Sequence, residues 1–102
     1  MNIDYKKDHS VITMQFDGEL DEYAASATRQ TMESVLFTNN FKTLILDLKK
    51  LTFMDSTGIG VILGRYKQLK NKNINCYVMN VSPAVDKIFR ISGLYELFPL
   101  LD

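Results

Sequence analysis

A single cysteine and a single histidine are all that this 102-residue chain holds of either type, and that scarcity removes several classes of chemistry. Cys76 cannot close an internal disulfide, and its apolar surroundings predict a buried structural thiol in a reducing compartment. One Cys and one His cannot assemble a metal-ligand cluster, so no metal site is expected. Net charge is missing too: 12 Lys plus Arg stand against 12 Asp plus Glu. Such a surface has no general attraction for nucleic acid or an anionic membrane, and neither is expected as a partner. No apolar run approaches the roughly 20 residues of a membrane span. The polar, charged stretch 1–8 does not read as a signal peptide, and a cytoplasmic protein is expected. Repeats, linkers and low-complexity tracts are absent. What remains is a composition of 46% apolar and 24% charged residues, ordinary for a folded protein, in a length that makes one domain, 1–102, with one core.

Catalytic motifs fail on spacing. The glycines read Gly58-x-Gly60-x-x-x-Gly64, one residue too long for a dinucleotide fingerprint, and no P-loop is present. Met54 stands where a nucleophile elbow needs its first glycine. His9 falls at an apparent hairpin turn, and nothing places it near a serine as a base. No catalytic residue is assigned, no enzyme is expected, and no bound cofactor is implied.

The polar and apolar pattern alternates strands with helices. Residues 2–7 and 10–16 read as a hairpin about Asp8 and His9, with Ile12, Met14 and Phe16 on one face and Gly18 ending the second strand. Asp21 is placed to cap a helix reaching about Phe37, with Leu20 and Ala25 as a hydrophobic staple. Its apolar stripe is Ala24, Ala25, Thr28, Met32, Val35 and Leu36. Residues 43–48 are almost continuously apolar, which predicts a central strand covered on both faces. A second helix should run from Ser56 to about Asn71, and residues 74–79 form another strand. Ser82 with Pro83 opens a third helix carrying Val85, Ile88 and Phe89 inward, stopped by Ser92 and Gly93. Residues 94–101 are apolar and are expected to add an edge strand. Strand, helix, strand, helix, strand is the order of parallel crossover units. An α/β fold follows, a mixed sheet with a leading antiparallel hairpin and helices packed on it.

The run Phe53-Met54-Asp55-Ser56-Thr57-Gly58-Ile59-Gly60 joins the central strand to the second helix. It predicts Ser56 as the N-cap, surrounded by the free N–H groups of the first turn. A phosphate could be carried there, favoured by the helix N-terminus and repelled by the adjacent Asp55. A serine at a helix start is ordinarily a plain cap, so position alone does not make it an acceptor. Each interior glycine costs a helix about 1 kcal/mol against alanine, so Gly58, Gly60 and Gly64 answer some contact. Counting 100° per residue puts Ile59, Ile62, Leu63 and Tyr66 inward and groups Gly60, Val61, Gly64 and Gln68 on the opposite side. Either a partner approaches this small-residue stripe, or a neighbouring helix of the same domain does.

Residues 51–67, with Gly18-Glu19-Leu20-Asp21, Ser82-Pro83-Ala84-Val85 and Ser92-Gly93-Leu94, resemble in order and spacing the signature of the bacterial anti-sigma factor antagonists of the STAS domain family. Phe53-Met54-Asp55-Ser56 and the run from Gly60 to Gln68 are most similar to the sporulation branch. The resemblance covers nearly the whole chain. It implies that Ser56 is the phosphoacceptor and that the partner is an anti-sigma factor which is itself a serine kinase. It also implies a separate metal-dependent serine phosphatase of the PP2C-like type, with ATP and metal belonging to those partners. By the same resemblance Asp21, beside the acceptor, joins Asp55, Thr57, Gly58, Gly60, Val61 and Gly64 in the partner-binding set; relatives carry serine or threonine at the position of Thr57. Relatives usually have a further amphipathic helix at the end, which is not seen before Asp102; apolar surface near Leu97, Phe98, Leu100 and Leu101 is therefore expected. The alternative use of such a domain is as a subunit of a lipid-transport or other signalling complex, which would copurify with a transport ATPase and not with a serine kinase.

Overall fold

The structure is a computed structural model and describes residues 1–101. Its elements are β1 (Asn2–Asp8), β2 (Val11–Leu20), α1 (Ala25–Thr38), β3 (Thr43–Met54), α2 (Ser56–Leu69), a 3-10 turn (Lys70–Lys72), β4 (Asn75–Met79), α3 (Pro83–Ser92) and α4 (Leu94–Leu97). The four strands lie in sequence order, β1 antiparallel to β2 and the rest parallel. The mixed sheet with a leading hairpin is as expected from the sequence.

His9 opens the two-residue loop between the paired Asp8 and Val11, with the positive φ of 54° that such a loop demands at its first position. The parallel strands are added in one direction, β2 to β3 to β4. Right-handed crossovers of that kind carry α1 and α2 to the same face of the sheet. Ile12, Met14 and Phe16 of β2, Leu44, Leu46 and Leu48 of β3, and Val78 of β4 are buried beneath the helices. Met32, Val35 and Leu36 of α1, Val61 and Ile62 of α2, and Val85 and Phe89 of α3 complete one core. The opposite sheet face is open. Thr43, Ile45 and Asp47 are only half-buried, which corrects the expectation that β3 is covered on both sides.

Two register irregularities each insert one extra residue into β3. Gln15 to Leu20 is five steps along β2, while the paired Asp47 to Met54 is seven along β3. The extra residues of β3 turn its burial period from two to three, at Leu48, Leu51 and Met54. Gly18 does not end β2: it sits inside the strand at φ 122°, and its carbonyl accepts the Thr52 hydroxyl at 3.1 Å. Both strands therefore reach one sheet edge together, where Leu20 pairs with Met54.

Three other boundaries differ from the sequence reading. Asp21 closes a turn ahead of α1, accepting from the N–H groups of Tyr23 and Ala24, and the helix proper begins at Ala25. α2 stops at Leu69 and tightens into the 3-10 turn. Residues 94–101 do not form a full edge strand, because Gly93 in the left-handed conformation starts the short α4, leaving one bridge from Leu100 to Val78. Phe98 is buried edge-on against Tyr66, at 5.8 Å between centroids, and Leu97 is half-buried; the apolar surface expected there is confined to Leu100 and Leu101. Ser82 caps α3 with Pro83 in its first turn, as expected.

Candidate functional site

At the end of β3 the chain turns sharply into α2. The Asp55 N–H bonds the Leu20 carbonyl at 3.3 Å, continuing the strand pairing by one residue. Asp55 remains extended, its carbonyl accepts the first helical bond from Ile59 at 3.0 Å, and its Oδ1 accepts the Gly58 N–H at 2.9 Å. Asp55 is thus the N-cap, and Ser56 is the first residue of the helix. This corrects the sequence reading, which gave the cap to Ser56. Aspartate wins because its charged oxygen makes the stronger bond to an amide and opposes the positive end of the helix dipole.

The correction frees the Ser56 hydroxyl from a structural task. Ser56 and Thr57 are exposed at the head of α2, and their N–H groups have no backbone partner among the described residues. An anion on Ser56 meets these donors and the helix dipole, but it also meets the Asp55 carboxylate next to it.

The three glycines divide into two kinds. A Cβ on Gly58 would lie 2.4 Å from the Leu20 carbonyl oxygen and 2.7 Å from Met54 Cγ, so that position is required by packing within the domain. Gly60 and Gly64 have nothing within 4 Å of a would-be Cβ. Val61 is buried in the core, not grouped with them on the outer side, and so cannot itself present a contact surface. The helix is rotated from the sequence-based wheel: Val61, Ile62, Arg65 and Leu69 point in, Leu63 is half-exposed, and Ser56, Thr57 and Gly60 lie outside with Gly64 half-exposed.

Asp21 follows Leu20 as Asp55 follows Met54, so the register brings the two carboxylates to the same edge of the sheet. Beside them Met1, Glu19, Asp21, Tyr23 and Ala24 line a depression of about 330 Å3. His9 lies at the start of β2, the end of the sheet away from Ser56, where its ring is 2.7 Å from the Asp8 carboxylate. Cys76 is buried, and that burial pushes its thiol up to about 11.

One network escaped the sequence reading. Arg65 is buried between α1 and α2, its Nε donating to Gln68 Oε1 at 2.8 Å; Gln68 Nε2 donates to Glu33 Oε2 at 2.8 Å. Arg29 reaches Glu33 at 3.2 Å from one turn away. The Gln68 hydrogen bond, helped by the charges of Arg65 and Arg29, holds the Glu33 carboxyl below its ordinary value against the opposing effect of burial. The available signal was position: Arg65 continues the apolar stripe three residues after Ile62.

Residues 2–102 match the STAS domain across essentially the full chain. The chain belongs to the STAS domain family. This STAS domain is 36% identical over 104 residues to the anti-sigma F factor antagonist of Paenibacillus polymyxa, covering all of this chain and 89% of the relative. Its fold superimposes on the unphosphorylated form of the anti-sigma factor antagonist SpoIIAA with a TM-score of 0.82 at 28% identity, covering 99% of this chain and 89% of that one. The phosphorylated form of the Bacillus SpoIIAA matches with a TM-score of 0.74 at 27% identity, over 99% and 92% of the two chains. No helix among the described residues of this STAS domain is long and apolar enough to cross a membrane.

Proposed function

We propose that this protein is an anti-sigma factor antagonist that acts in the cytoplasm by partner switching, with Ser56 as its phosphoacceptor. The observation that carries the reading is the position of Ser56 as the first residue of α2, exposed and relieved of capping by Asp55. The similarity to relatives named as anti-sigma factor antagonists, and to SpoIIAA in both unphosphorylated and phosphorylated forms, supports it. In the unphosphorylated state an anti-sigma factor with serine kinase activity docks over Ser56, Thr57 and the bare backbone at Gly60 and Gly64, and a sigma factor is released. Gly58 and Val61 act from beneath, by fixing the helix against Leu20 and the core. Asp21 fixes the neighbouring turn.

Phosphorylation adds a charge of about −1.5 to −2 beside Asp55. A partner closing over that spot would have to desolvate an unpaired anion, at a cost of several kcal/mol, so affinity falls by orders of magnitude (roughly tenfold for each 1.4 kcal/mol). The fold need not change. A PP2C-like phosphatase removes the phosphate and restores binding; ATP and metal ions act on those partners.

The test is to combine the protein with its cognate anti-sigma factor kinase and Mg-ATP, map phosphate by mass spectrometry, and measure binding before and after. A single phosphate on Ser56 that abolishes binding is expected. An active kinase that neither binds this protein nor modifies Ser56 would overturn the reading.

A further inference from the structure

The Asp21 carboxylate is engaged by its own turn. Oδ1 accepts the N–H of Tyr23 at 3.1 Å and that of Ala24 at 3.0 Å. The turn so closed holds Tyr23 out in water at 89% exposure, more than any other large hydrophobic side chain of the described residues. An isolated exposed apolar residue is commonplace. Tyr23 is not isolated: it lines a depression together with Met1, Ala24 and the acidic residues Glu19 and Asp21. Phe53, 45% exposed, is the register partner of Glu19 on β3.

Leu20 ties this patch to the head of α2. Its carbonyl accepts the Asp55 N–H, and the same carbonyl fills the space that a Gly58 side chain would need. The residue after Leu20 is Asp21, which sets the Tyr23 turn. One strand end therefore positions both the aromatic ring and Ser56, so the patch is continuous with the docking face proposed above. Glu19 and Glu22 on either side are exposed and have no salt-bridge partner among the described residues.

We propose that Tyr23 is the aromatic anchor of the docking face: its ring enters an apolar pocket, rimmed by cationic side chains, on the anti-sigma factor. Asp21 is a positioning residue that holds the anchor by its backbone. This rests on the function proposed above. A tyrosine loses few rotatable bonds on burial and carries a large apolar area with one polar tip, which is why such residues dominate binding energy at interfaces.

The experiment measures binding of unphosphorylated wild type, Tyr23→Ala and Tyr23→Phe to the anti-sigma factor kinase of the host cell by calorimetry. The rate of Ser56 phosphorylation is followed in parallel as a function of substrate concentration. Tyr23→Ala is expected to raise Kd and KM about tenfold or more, with kcat and Tm unchanged, while Tyr23→Phe stays within about threefold of wild type. A Tyr23→Ala protein that binds and is phosphorylated within about twofold of wild type overturns the anchor and leaves the proposed function standing. A wild-type protein that the active kinase neither binds nor phosphorylates overturns both.

Discussion

The Asp55 carboxylate accepts the Gly58 N–H at 2.9 Å and so caps the helix that Ser56 opens. The cap thereby falls to Asp55 and leaves Ser56, the proposed phosphoacceptor, without that task, so substitutions should separate the two roles. Asp55→Ala is expected to lower stability by about 1 kcal/mol, the usual cost of a lost N-cap. Ser56→Ala, with no cap to lose, should stay within about 0.5 kcal/mol of wild type. Urea unfolding of the two variants checks this; equal destabilisation by Ser56→Ala would return the cap to serine.

The glycines of α2 should respond with opposite signs. Gly58→Ala puts a methyl 2.4 Å from a backbone carbonyl that belongs to the sheet, so the helix head must shift. A loss of about 1–3 kcal/mol is expected, as for other overpacked sites. At Gly60 and Gly64 the space is open, and alanine should stabilise by up to about 1 kcal/mol through the unfolded chain and helix propensity. If the bare backbone there is what the partner approaches, Gly60→Leu will fold normally and bind more weakly. Unchanged binding of a folded Gly60→Leu would remove that position from the docking face.

Much of this arrangement was legible before the structure because strand and helix periods are strong signals where they are unbroken. The hairpin, α1, α3 with its Ser82 cap and the Gly93 stop all follow from them. The far half of β3 was hidden, since its extra residues place Lys49, Lys50, Thr52 and Phe53 outside and break the alternation. The open sheet face was hidden for another reason. Half-buried Ile45 is as apolar as its buried neighbours, and only the shared direction of the crossovers shows that no helix covers it. At the site, residue types identified the region but could not decide between neighbours. Aspartate and serine are both good caps, and the extended backbone of Asp55 shows that the stronger, charged acceptor takes the position. Arg65 was overlooked because a charged residue on an apolar stripe is read as solvent-facing until its partners on another helix are known.

The end of the fold carries two groups that should make stability fall at alkaline pH. Burial, reinforced by its hydrogen bond to Asp86, pushes the Tyr95 hydroxyl up to about 12, and burial pushes the Cys76 thiol up to about 11. Each is raised above its unfolded value, so its contribution is complete below that value and is lost as pH rises through the folded one. The denaturant midpoint should therefore decline from about pH 9 and continue downward through the tyrosine range. Tyr95→Phe should remove the upper part of that decline. Asp86 works at the other limit: the Tyr95 hydrogen bond first, then the Arg90 contact, hold its carboxyl below the ordinary value. Its contribution is present above the unfolded carboxylate pKa and is lost as pH falls through the lower folded one, below about pH 4. Tyr95→Phe should weaken this acid loss as well, and a midpoint profile indifferent to that substitution at both limits would show that the contact contributes nothing.

The proposed switch predicts a graded series at Ser56. Ser56→Ala cannot accept phosphate and should bind the anti-sigma factor constitutively, with the intact Asp55 cap preserving the docking face. Ser56→Asp places one carboxylate beside Asp55, less charge than the roughly −1.5 to −2 of phosphate and fewer acceptor oxygens. Its binding should fall between that of the unphosphorylated and phosphorylated proteins. Because the charge acts at an exposed first residue of α2, the amide spectra of the phosphorylated and unphosphorylated forms should differ only around the head of α2 and the Leu20 to Ala24 edge. Widespread changes through α3 and β4 would mean that phosphate remodels the fold, and repulsion and desolvation at the docking face would no longer suffice to explain release.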